Sequence, residues 1–236
     1  MFNAEKCYVL KITHARSPSE YTYKSNNTTL TETKSQTYLG VNITSDLTWN
    51  SHVGNITAKA NKSLGFLRRN LYACTKEIKN MAYKTLVRPI LEYSSSVWDP
   101  HTQTLVKQIE AVQNRAARFV SGKYSRHMSV TAMKKDLNWE ELETRRKVAR
   151  LITFHQALAG QLAIPARKIL RPVQRTTRQT APKANNFTPI AANKNCYKQS
   201  FIPRTLVQWN SLPSHITTIE KKEEFKTAVR NYYNFY

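Results

Sequence analysis

The chain has 236 residues, of which 40% are apolar, so it can form one large domain or two small ones with real cores. Its formal net charge of +22, from 37 Lys and Arg against 15 Asp and Glu, favours a polyanionic partner over an anionic membrane surface. Three widely spaced cysteines suggest neither a disulfide framework nor a zinc site, and no apolar run is long enough for a signal peptide or membrane span. We therefore expect an intracellular protein of the nucleus or cytoplasm, not a secreted one.

Residues 1–44 are predicted to form a small antiparallel β-meander. Alternating apolar residues mark a strand around Val9, and a longer alternation predicts one strand over residues 37–43. Between them, Ser25, Asn26 and Asn27 predict a hairpin turn because asparagine tolerates positive φ. A meander of this size buries too little to be an independent core, so it is typical of a larger sheet.

Residues 75–100 are the longest stretch in which helix signals coincide with a broad apolar face. One predicted stripe recurs at three- and four-residue steps and comprises Ile78, Ala82, Leu86, Ile90, Tyr93 and Val97. Further apolar residues widen it, namely Met81, Tyr83, Val87, Leu91 and Trp98. The opposite side carries Lys76, Asn80, Lys84 and Arg88, so the uncovered face is predicted to be basic. We expect Pro89 to kink this helix rather than to divide it in two.

Similar helical patterns on both sides of this stretch predict a bundle over residues 45–160. The first helix of the bundle carries four basic residues opposite its apolar side, which are Lys59, Lys62, Arg68 and Arg69. Residues 161–195 contain four prolines and unpaired basic residues, and they are predicted to form an extended basic linker. Residues 196–236 regain helical spacing at Ile202, Leu206 and Trp209 and predict a C-terminal helical segment. The fold class is thus α+β, mainly α.

Basic faces on three consecutive helices indicate nucleic-acid binding through phosphates. On a single helix, such basic residues are most simply explained as a solvated face. Three basic faces together with the net charge instead favour nucleic-acid binding. The large aromatics Tyr38, Tyr93, Trp98, Trp139 and Trp209 are assigned to core packing, because each lies on or beside an apolar stripe.

The sequence contains no self-sufficient active site. Its three aspartates, Asp46, Asp99 and Asp136, are far apart and flank helices, whereas two-metal chemistry needs carboxylates brought together. His155 lies in the middle of a helix and is expected to be a core residue. No glycine-rich phosphate loop and no nucleophile elbow occurs.

Six blocks, in order, resemble the carboxy-terminal part of reverse transcriptases encoded by non-LTR retrotransposons (LINE elements) of the jockey or CR1-like kind. The blocks are NAEKCYVLKIT, YLGVNITSDLTW, KANKSLGFLRRNL, YKTLVRPILEYSSSVWDP, IEAVQNRAARFVSGKYSR and SFIPRTLVQWNSLP. Together they cover most of the chain. A single block alone would be weak evidence for the resemblance, and the ordered set of six makes it specific.

The resemblance implies roles for particular residues. Asn3 and Lys6 match the family's motif D, whose lysine is thought to assist at the nucleotide phosphates, so Lys6 is a possible ancillary residue. Tyr38, Leu39 and Gly40 match the primer grip, which holds the end of the growing strand. Gly40 lacks a side chain and would let a sugar-phosphate backbone approach closely.

The same resemblance implies a palm remnant over residues 1–44 and a thumb over residues 45–160. The predicted phosphate contacts of the thumb are Lys59, Lys62, Arg68, Arg69, Lys76, Lys84 and Arg88. The catalytic aspartates of the family precede the matched region, so we expect no catalytic or metal-binding residues and no cofactor in this chain, with Mg²⁺ belonging to the intact parent enzyme.

The expected function is that of a truncated RNA-directed DNA polymerase which binds an RNA–DNA hybrid or DNA duplex without polymerising. It would have no membrane partner and no small-molecule substrate of its own. An open alternative is a domesticated or relic basic module that binds nucleic acid and has no polymerase role.

Overall fold

The computed structural model describes residues 6–13, 15–25, 27–173 and 185–234. It confirms a mainly helical α+β chain with a few small strands. The strands are β1 (Tyr8–Leu10), β2 (Lys24–Ser25), β3 (Thr28–Thr29), β4 (Thr31–Thr33), β5 (Ser35–Tyr38) and β6 (Val41–Thr44). Among the helices in these ranges, none combines the length and the hydropathy needed to cross a membrane.

The helices begin directly after the strands. They are α1 (Asn50–Asn70), α2 (Lys76–Ala82), a π-helical turn (Tyr83–Val87), α3 (Arg88–Glu92), α4 (Ser95–Trp98), α5 (Gln103–Ser121), α6 (Val130–Asp136) and α7 (Leu142–Leu158). After them come α8 (Ala166–Ile169), α9 (Asn195–Lys198), α10 (Phe201–Ser211), α11 (Ser214–Thr217) and α12 (Lys222–Asn234).

The strands pair two by two and do not form the predicted antiparallel meander. The pairs β2–β3 and β5–β6 are antiparallel hairpins, but β1 pairs with β4 in parallel. A parallel pair needs a long connection, and residues 11–30 supply it. The predicted hairpin is seen as the pairing of β2 with β3, and Asn27 between them has a φ of +62°, while Asn26 lies outside the described residues.

The single strand predicted over residues 37–43 is instead the hairpin of β5 and β6. Leu39 and Gly40 form its two-residue turn, with φ values of +46° and +79°. Positive φ at both central residues matches the twist of the flanking strands, and glycine adopts it without steric cost. The alternating apolar pattern continues through the turn, which is why periodicity alone did not reveal it.

The predicted helix over residues 75–100 is helical only as far as Glu92. The chain stays helical through Pro89, and the preceding turn widens into the π-helix Tyr83–Val87. Tyr93 then takes an extended ψ of 125° and Ser94 a left-handed φ of +54°, so a separate helix, α4, starts at Ser95. Proline has no N–H to donate to the preceding turn, and the wider π-helical turn accommodates this missing hydrogen bond.

The uncovered side of this helix includes apolar residues that were predicted to be covered, so it is not simply basic. Ile78, Met81 and Leu86 are 49%, 68% and 55% exposed, whereas Tyr83, Val87 and Leu91 are fully buried. On the predicted basic side, Asn80 accepts a hydrogen bond from the indole of Trp139. Because apolar residues surround the helix, their spacing could not decide which ones face the core.

The first core lies between α1, residues 83–98, α5 and α6. Its largest fully buried side chains are Tyr83, Leu91, Trp98, Ile109 and Leu142. The Tyr83 ring stacks on Trp139 at 4.2 Å, and the Tyr83 hydroxyl donates to Gln113 Oε1 at 2.8 Å. Strand β6 reaches this core through Val41, so the hairpin is anchored to the helices.

A second core is built by α7, α10 and α12. Leu151, Phe154, Leu206, Trp209 and Phe225 are fully or almost fully buried in it. Because α7 begins in the first core at Leu142 and continues into the second, it joins the two. The predicted spacing of Leu206 and Trp209 is confirmed, with Ile202 partly buried beside them.

The described part of the predicted linker 161–195 is more ordered than an extended arm. It contains α8, and Ala166 and Leu170 are buried in the second core. Pro172 forms an isolated antiparallel bridge with Phe187. Residues 174–184 lie outside the described ranges.

Candidate nucleic-acid interface

The tip of the β5–β6 hairpin lies against Tyr93. The Tyr93 hydroxyl donates a hydrogen bond to the Leu39 carbonyl oxygen at 3.2 Å. A Cβ placed on Gly40 would lie 3.3 Å from Cε1 of the Tyr93 ring, so the ring packs closely on the turn. Tyr93 comes directly after α3, so the end of this helix positions the ring. The ring in turn holds the hairpin tip through its contacts with Leu39 and Gly40.

An open groove of about 590 Å³ separates this tip from α1 and α3. We call it the tip groove. Its walls include Leu39 and Gly40 from the hairpin, Asn55 and Lys59 from α1, and Tyr93. None of the described residues that line it is acidic. A groove with a lysine, an aromatic ring and backbone at a glycine suits a sugar-phosphate chain.

A row of side chains continues from the tip groove along the exposed side of α1. We call it the α1 stripe, and it consists of Lys59, Lys62, Phe66 and Arg69, all exposed. Their spacings of three and four residues place them on one side of the helix. The stripe is about 15 Å long at 1.5 Å per residue, which corresponds to about four base pairs of duplex.

The structure brings some of the predicted binding residues together and separates others. Tyr38, Leu39, Gly40 and Lys59 lie at the hairpin tip or in the tip groove, and Lys62 and Arg69 follow on the α1 stripe. Arg68 lies beside the stripe, with its guanidinium 5.8 Å from the centre of the Tyr124 ring. Lys6 is exposed next to β1, and Asn3 lies outside the described residues.

The three remaining predicted residues lie on the helix after α1. Lys76 is exposed at the start of α2, and Lys84 is half-buried. Arg88 is half-buried 3.8 Å from Glu92, and burial lowers the pKa of its guanidinium. Because Glu92 also binds Arg145, the Arg88 charge belongs to an internal network and is poorly placed to contact phosphates.

Two of the five aromatic residues assigned to the core are instead on the surface. Trp98, Trp139 and Trp209 are buried as predicted, but Tyr38 and Tyr93 are 67% and 60% exposed. Sequence reasoning therefore missed Tyr93 as a candidate binding residue. No sequence signal marked it, because the apolar spacing continues through positions 93 and 94, where the helix ends.

His52 closes the floor of the tip groove. It is 2% exposed, and its Nδ1 accepts a hydrogen bond from the Asn42 N–H at 3.2 Å. The ring packs edge-on against Trp98, with 4.8 Å between ring centres. Burial lowers the pKa of His52, so the ring is neutral at pH 7 with its proton on Nε2. It therefore supports β6 rather than adding charge to the groove.

Two aspartates are fully engaged in protein contacts. The Asp99 carboxylate binds Arg146, Arg150 and Arg204 at 2.7, 2.9 and 3.4 Å. Asp46 accepts hydrogen bonds from the Thr44 hydroxyl and the Thr48 N–H, which lower the pKa of its carboxyl. In the described ranges no three His, Cys, Asp or Glu side chains are grouped to hold a metal ion.

One curated relative shares sequence with much of the chain. An alignment 174 residues long, which covers 70% of the chain, is 27% identical to a protein of Drosophila melanogaster described as a probable RNA-directed DNA polymerase from transposon BS. The match covers 19% of that protein, so the chain spans about a fifth of the relative's length. No protein-family profile matches the chain. No solved structure matches it either.

Proposed function

We propose that the chain is related to the reverse transcriptases of LINE-type transposons and holds template-primer nucleic acid between its hairpin tip and α1. The observation that carries this proposal is the continuity of the tip groove with the α1 stripe. Lys59 belongs to both, so one strand could run from Gly40 and Tyr93 along α1. The similarity to a transposon RNA-directed DNA polymerase also supports this proposal.

In this proposal the β5–β6 hairpin acts as a primer grip. Its backbone is accessible at Gly40, and Tyr93 holds the tip in place through the Leu39 carbonyl. Exposed Tyr38 and Phe66 offer rings to sugars or unpaired bases. Lys59, Lys62 and Arg69 neutralise successive phosphates, which fixes position without reading sequence. Residues 1–44 would then belong to a palm and residues 45–160 to a thumb.

The proposal includes no polymerisation by this chain alone. Phosphoryl transfer by two metal ions needs carboxylates that are available to the ions, but Asp99 and Asp46 already serve arginine and threonine partners. Asp99 and Asp46 are therefore not available as magnesium ligands, and in this proposal Mg²⁺ would act with carboxylates of a longer parent enzyme. Incorporation of labelled nucleotides by the purified chain with Mg²⁺ would contradict this part of the proposal.

The binding test compares two double variants of equal charge change. Lys59→Ala with Lys62→Ala removes two residues of the α1 stripe, while Lys135→Ala with Lys222→Ala removes two exposed lysines from α6 and α12. Fluorescence anisotropy on a recessed RNA–DNA hybrid, repeated over a salt series, gives affinity and the slope of log K against log salt.

We expect the stripe variant to reduce the magnitude of that slope by about 2, because two phosphate contacts are lost. The control variant should leave the slope close to that of the unmodified chain. Equal losses in the two variants would show that binding depends on net charge alone. That result would contradict the proposed strand path through the tip groove and along the α1 stripe.

A further inference from the structure

The loop that follows α5 lies beside the end of α1 that is farther from the tip groove. Three contacts between these stretches advance in the same direction along both: the Gln108 amide donates to the Thr57 hydroxyl at 3.1 Å, Arg115 Nε donates to Asn61 Oδ1 at 3.2 Å, and the Arg68 guanidinium lies 5.8 Å from the centre of the Tyr124 ring. The two helices therefore run side by side in parallel. Residues 122–129, which connect α5 to α6, are thus brought next to the end of the α1 stripe.

The start of this loop has a defined backbone. Gly122 ends α5 with a φ of +65°, and the Lys123 N–H donates to the Arg118 carbonyl oxygen at 3.2 Å. Glycine adopts positive φ without steric cost, and a glycine of this kind followed by a hydrogen bond back to the last turn is a common way to end a helix. Tyr124 comes two residues after this glycine, so the end of α5 positions its ring.

Tyr124 is an exposed aromatic residue with an arginine against its ring. It is 56% exposed, and the Arg68 guanidinium lies over the ring. A guanidinium within about 6 Å of a ring centre is attracted to the ring face by a cation–π interaction. Because more than half of Tyr124 stays accessible, the ring can also stack on a further flat group. Aromatic rings of this kind, placed beside basic residues, are what proteins use to hold bases of single strands.

The charges around Tyr124 fit a strand of nucleic acid. No Asp or Glu occurs in residues 47–76 or in residues 111–135, the two stretches that meet here. Lys123 and Arg126, on either side of Tyr124 in the loop, are both exposed. A phosphate chain at Tyr124 therefore has cationic partners close by and no carboxylate from these stretches to repel it.

We propose that Tyr124 stacks on an unpaired base of a nucleic-acid strand, at the point where that strand leaves the duplex beyond the α1 stripe. This inference deepens the proposed function and rests on it, because the α1 stripe brings the strand to this loop. Bases inside a duplex already stack on both neighbours, so Tyr124 selects a base of a single-stranded overhang. Stacking uses only the flat face of the base, so the site accepts every base and does not read sequence.

The test compares an RNA–DNA hybrid that carries a DNA overhang of about five nucleotides with the same hybrid without the overhang. Fluorescence anisotropy measures the gain in affinity from the overhang. 2-Aminopurine, placed at one overhang position at a time, reports stacking through the loss of its fluorescence. Tyr124→Ala removes the ring and Tyr124→Phe keeps it. Tyr21→Ala is the matched control, because Tyr21 is a 74% exposed tyrosine in the strand region before β2, where its ring packs edge-on against Tyr23.

In the unmodified chain we expect the overhang to raise the affinity at least about fivefold and to quench 2-aminopurine at one or two neighbouring positions. Tyr124→Ala should lose both effects but keep its affinity for the blunt hybrid, which also shows that this variant is folded. Tyr124→Phe and Tyr21→Ala should keep both effects. The proposal is overturned if the overhang gain survives in Tyr124→Ala, if Tyr21→Ala loses as much of it, or if the unmodified chain shows no gain.

Failure of this inference can be told apart from failure of the proposed function. The proposed function is tested by the salt slope of Lys59→Ala with Lys62→Ala, whereas stacking is tested by the overhang gain and the 2-aminopurine signal. A gain that depends on Tyr124, without any special effect of the stripe variant, would keep the base site and reject the strand path along α1. A stripe effect without a gain that depends on Tyr124 would keep the path and reject the base site.

Discussion

At the scale of single residues, Gly40 decides the shape of the hairpin tip. Its φ of +79° is a conformation that other residues adopt at a cost, and a Cβ would press on the Tyr93 ring at 3.3 Å. We expect Gly40→Ala to lower the free energy of unfolding by about 1–2 kcal/mol, as measured by urea denaturation. It should also weaken hybrid binding, because the tip and Tyr93 are displaced.

Gly54→Ala is the matched control for this substitution. Gly54 lies inside α1, and a Cβ there meets no heavy atom within 4 Å. Alanine should therefore stabilise the chain by about 0.5–1 kcal/mol, because glycine is a poor helix former. Destabilisation by both alanines would show that the tip has no special role.

His52 gives the chain a pH dependence of known sign. Burial lowers the pKa of the folded-state ring below the unfolded value, so the unfolded chain binds more protons between those two pKa values. Stability is therefore full above about pH 6.5 and falls as the pH drops towards the folded pKa. The expected slope is at most about 1.4 kcal/mol per pH unit, since one proton is involved.

The measurement compares urea unfolding of the unmodified chain and His52→Gln between pH 7 and pH 5. Glutamine can still accept from the Asn42 N–H but does not titrate, so the difference between the two curves isolates His52. A constant difference across this range would mean that His52 keeps its ordinary pKa.

At the scale of helices and their junctions, Asp99 connects the two cores. It follows α4 and binds Arg146 and Arg150 of α7 and Arg204 of α10, so one carboxylate holds three elements. Burial lowers the pKa of Arg150 to about 10, because removing its guanidinium from water disfavours the charged form. Without Asp99 the three arginines would face each other without a counter-charge.

We expect Asp99→Asn to reduce the free energy of unfolding by about 3–5 kcal/mol, the range for breaking a buried ion pair. Thermal and urea unfolding measure this loss. Glu223→Gln, which removes an exposed partner of Lys226 on α12, should leave unfolding unchanged. A small effect of Asp99→Asn would indicate that the cluster is not a structural junction.

The adjacent arginines at the end of α1 offer a comparison within one element. Arg69 continues the α1 stripe after Phe66, while Arg68 is turned about 100° from it and lies over the Tyr124 ring. Arg69→Ala should weaken hybrid binding several-fold more than Arg68→Ala, without a change in sequence preference, because phosphate contacts carry no sequence information. Anisotropy on two hybrids of different sequence checks both statements.

At the scale of the whole molecule, the sequence predicted the kinds of element better than their contacts. The existence of helices α1 and α5, although not their bounds, and the burial of Trp209 follow from strong periodicity and were predicted. The exposed Met81 and Tyr93 were not, because apolar residues surround residues 76–92 and the partner helices decide which ones are covered. The charge cluster at Asp99 joins residues up to 105 positions apart, and local pattern carries no information about such pairs.

The candidate binding residues, too, could be predicted singly from the sequence, but their grouping in space could not. Lys59 and Gly40 were both predicted as binding residues, but only the fold shows that they face one groove with Tyr93. His155 could be predicted as a core residue, and it does stack on Phe225 at 4.3 Å.

A net charge of +22 favours binding to any polyanion, so the binding proposal depends on whether the shape of the chain contributes in addition to its charge. Anisotropy on a recessed RNA–DNA hybrid, a blunt DNA duplex and a single strand over a salt series separates the two contributions. If the hairpin tip and α1 form a shaped site, the hybrid should be preferred, and the preference should survive moderate salt because contacts other than counterion release contribute. Equal affinities with the same steep slope would mean that the chain acts as a flexible polycation, and Gly40→Ala would then have no effect on any of the three ligands.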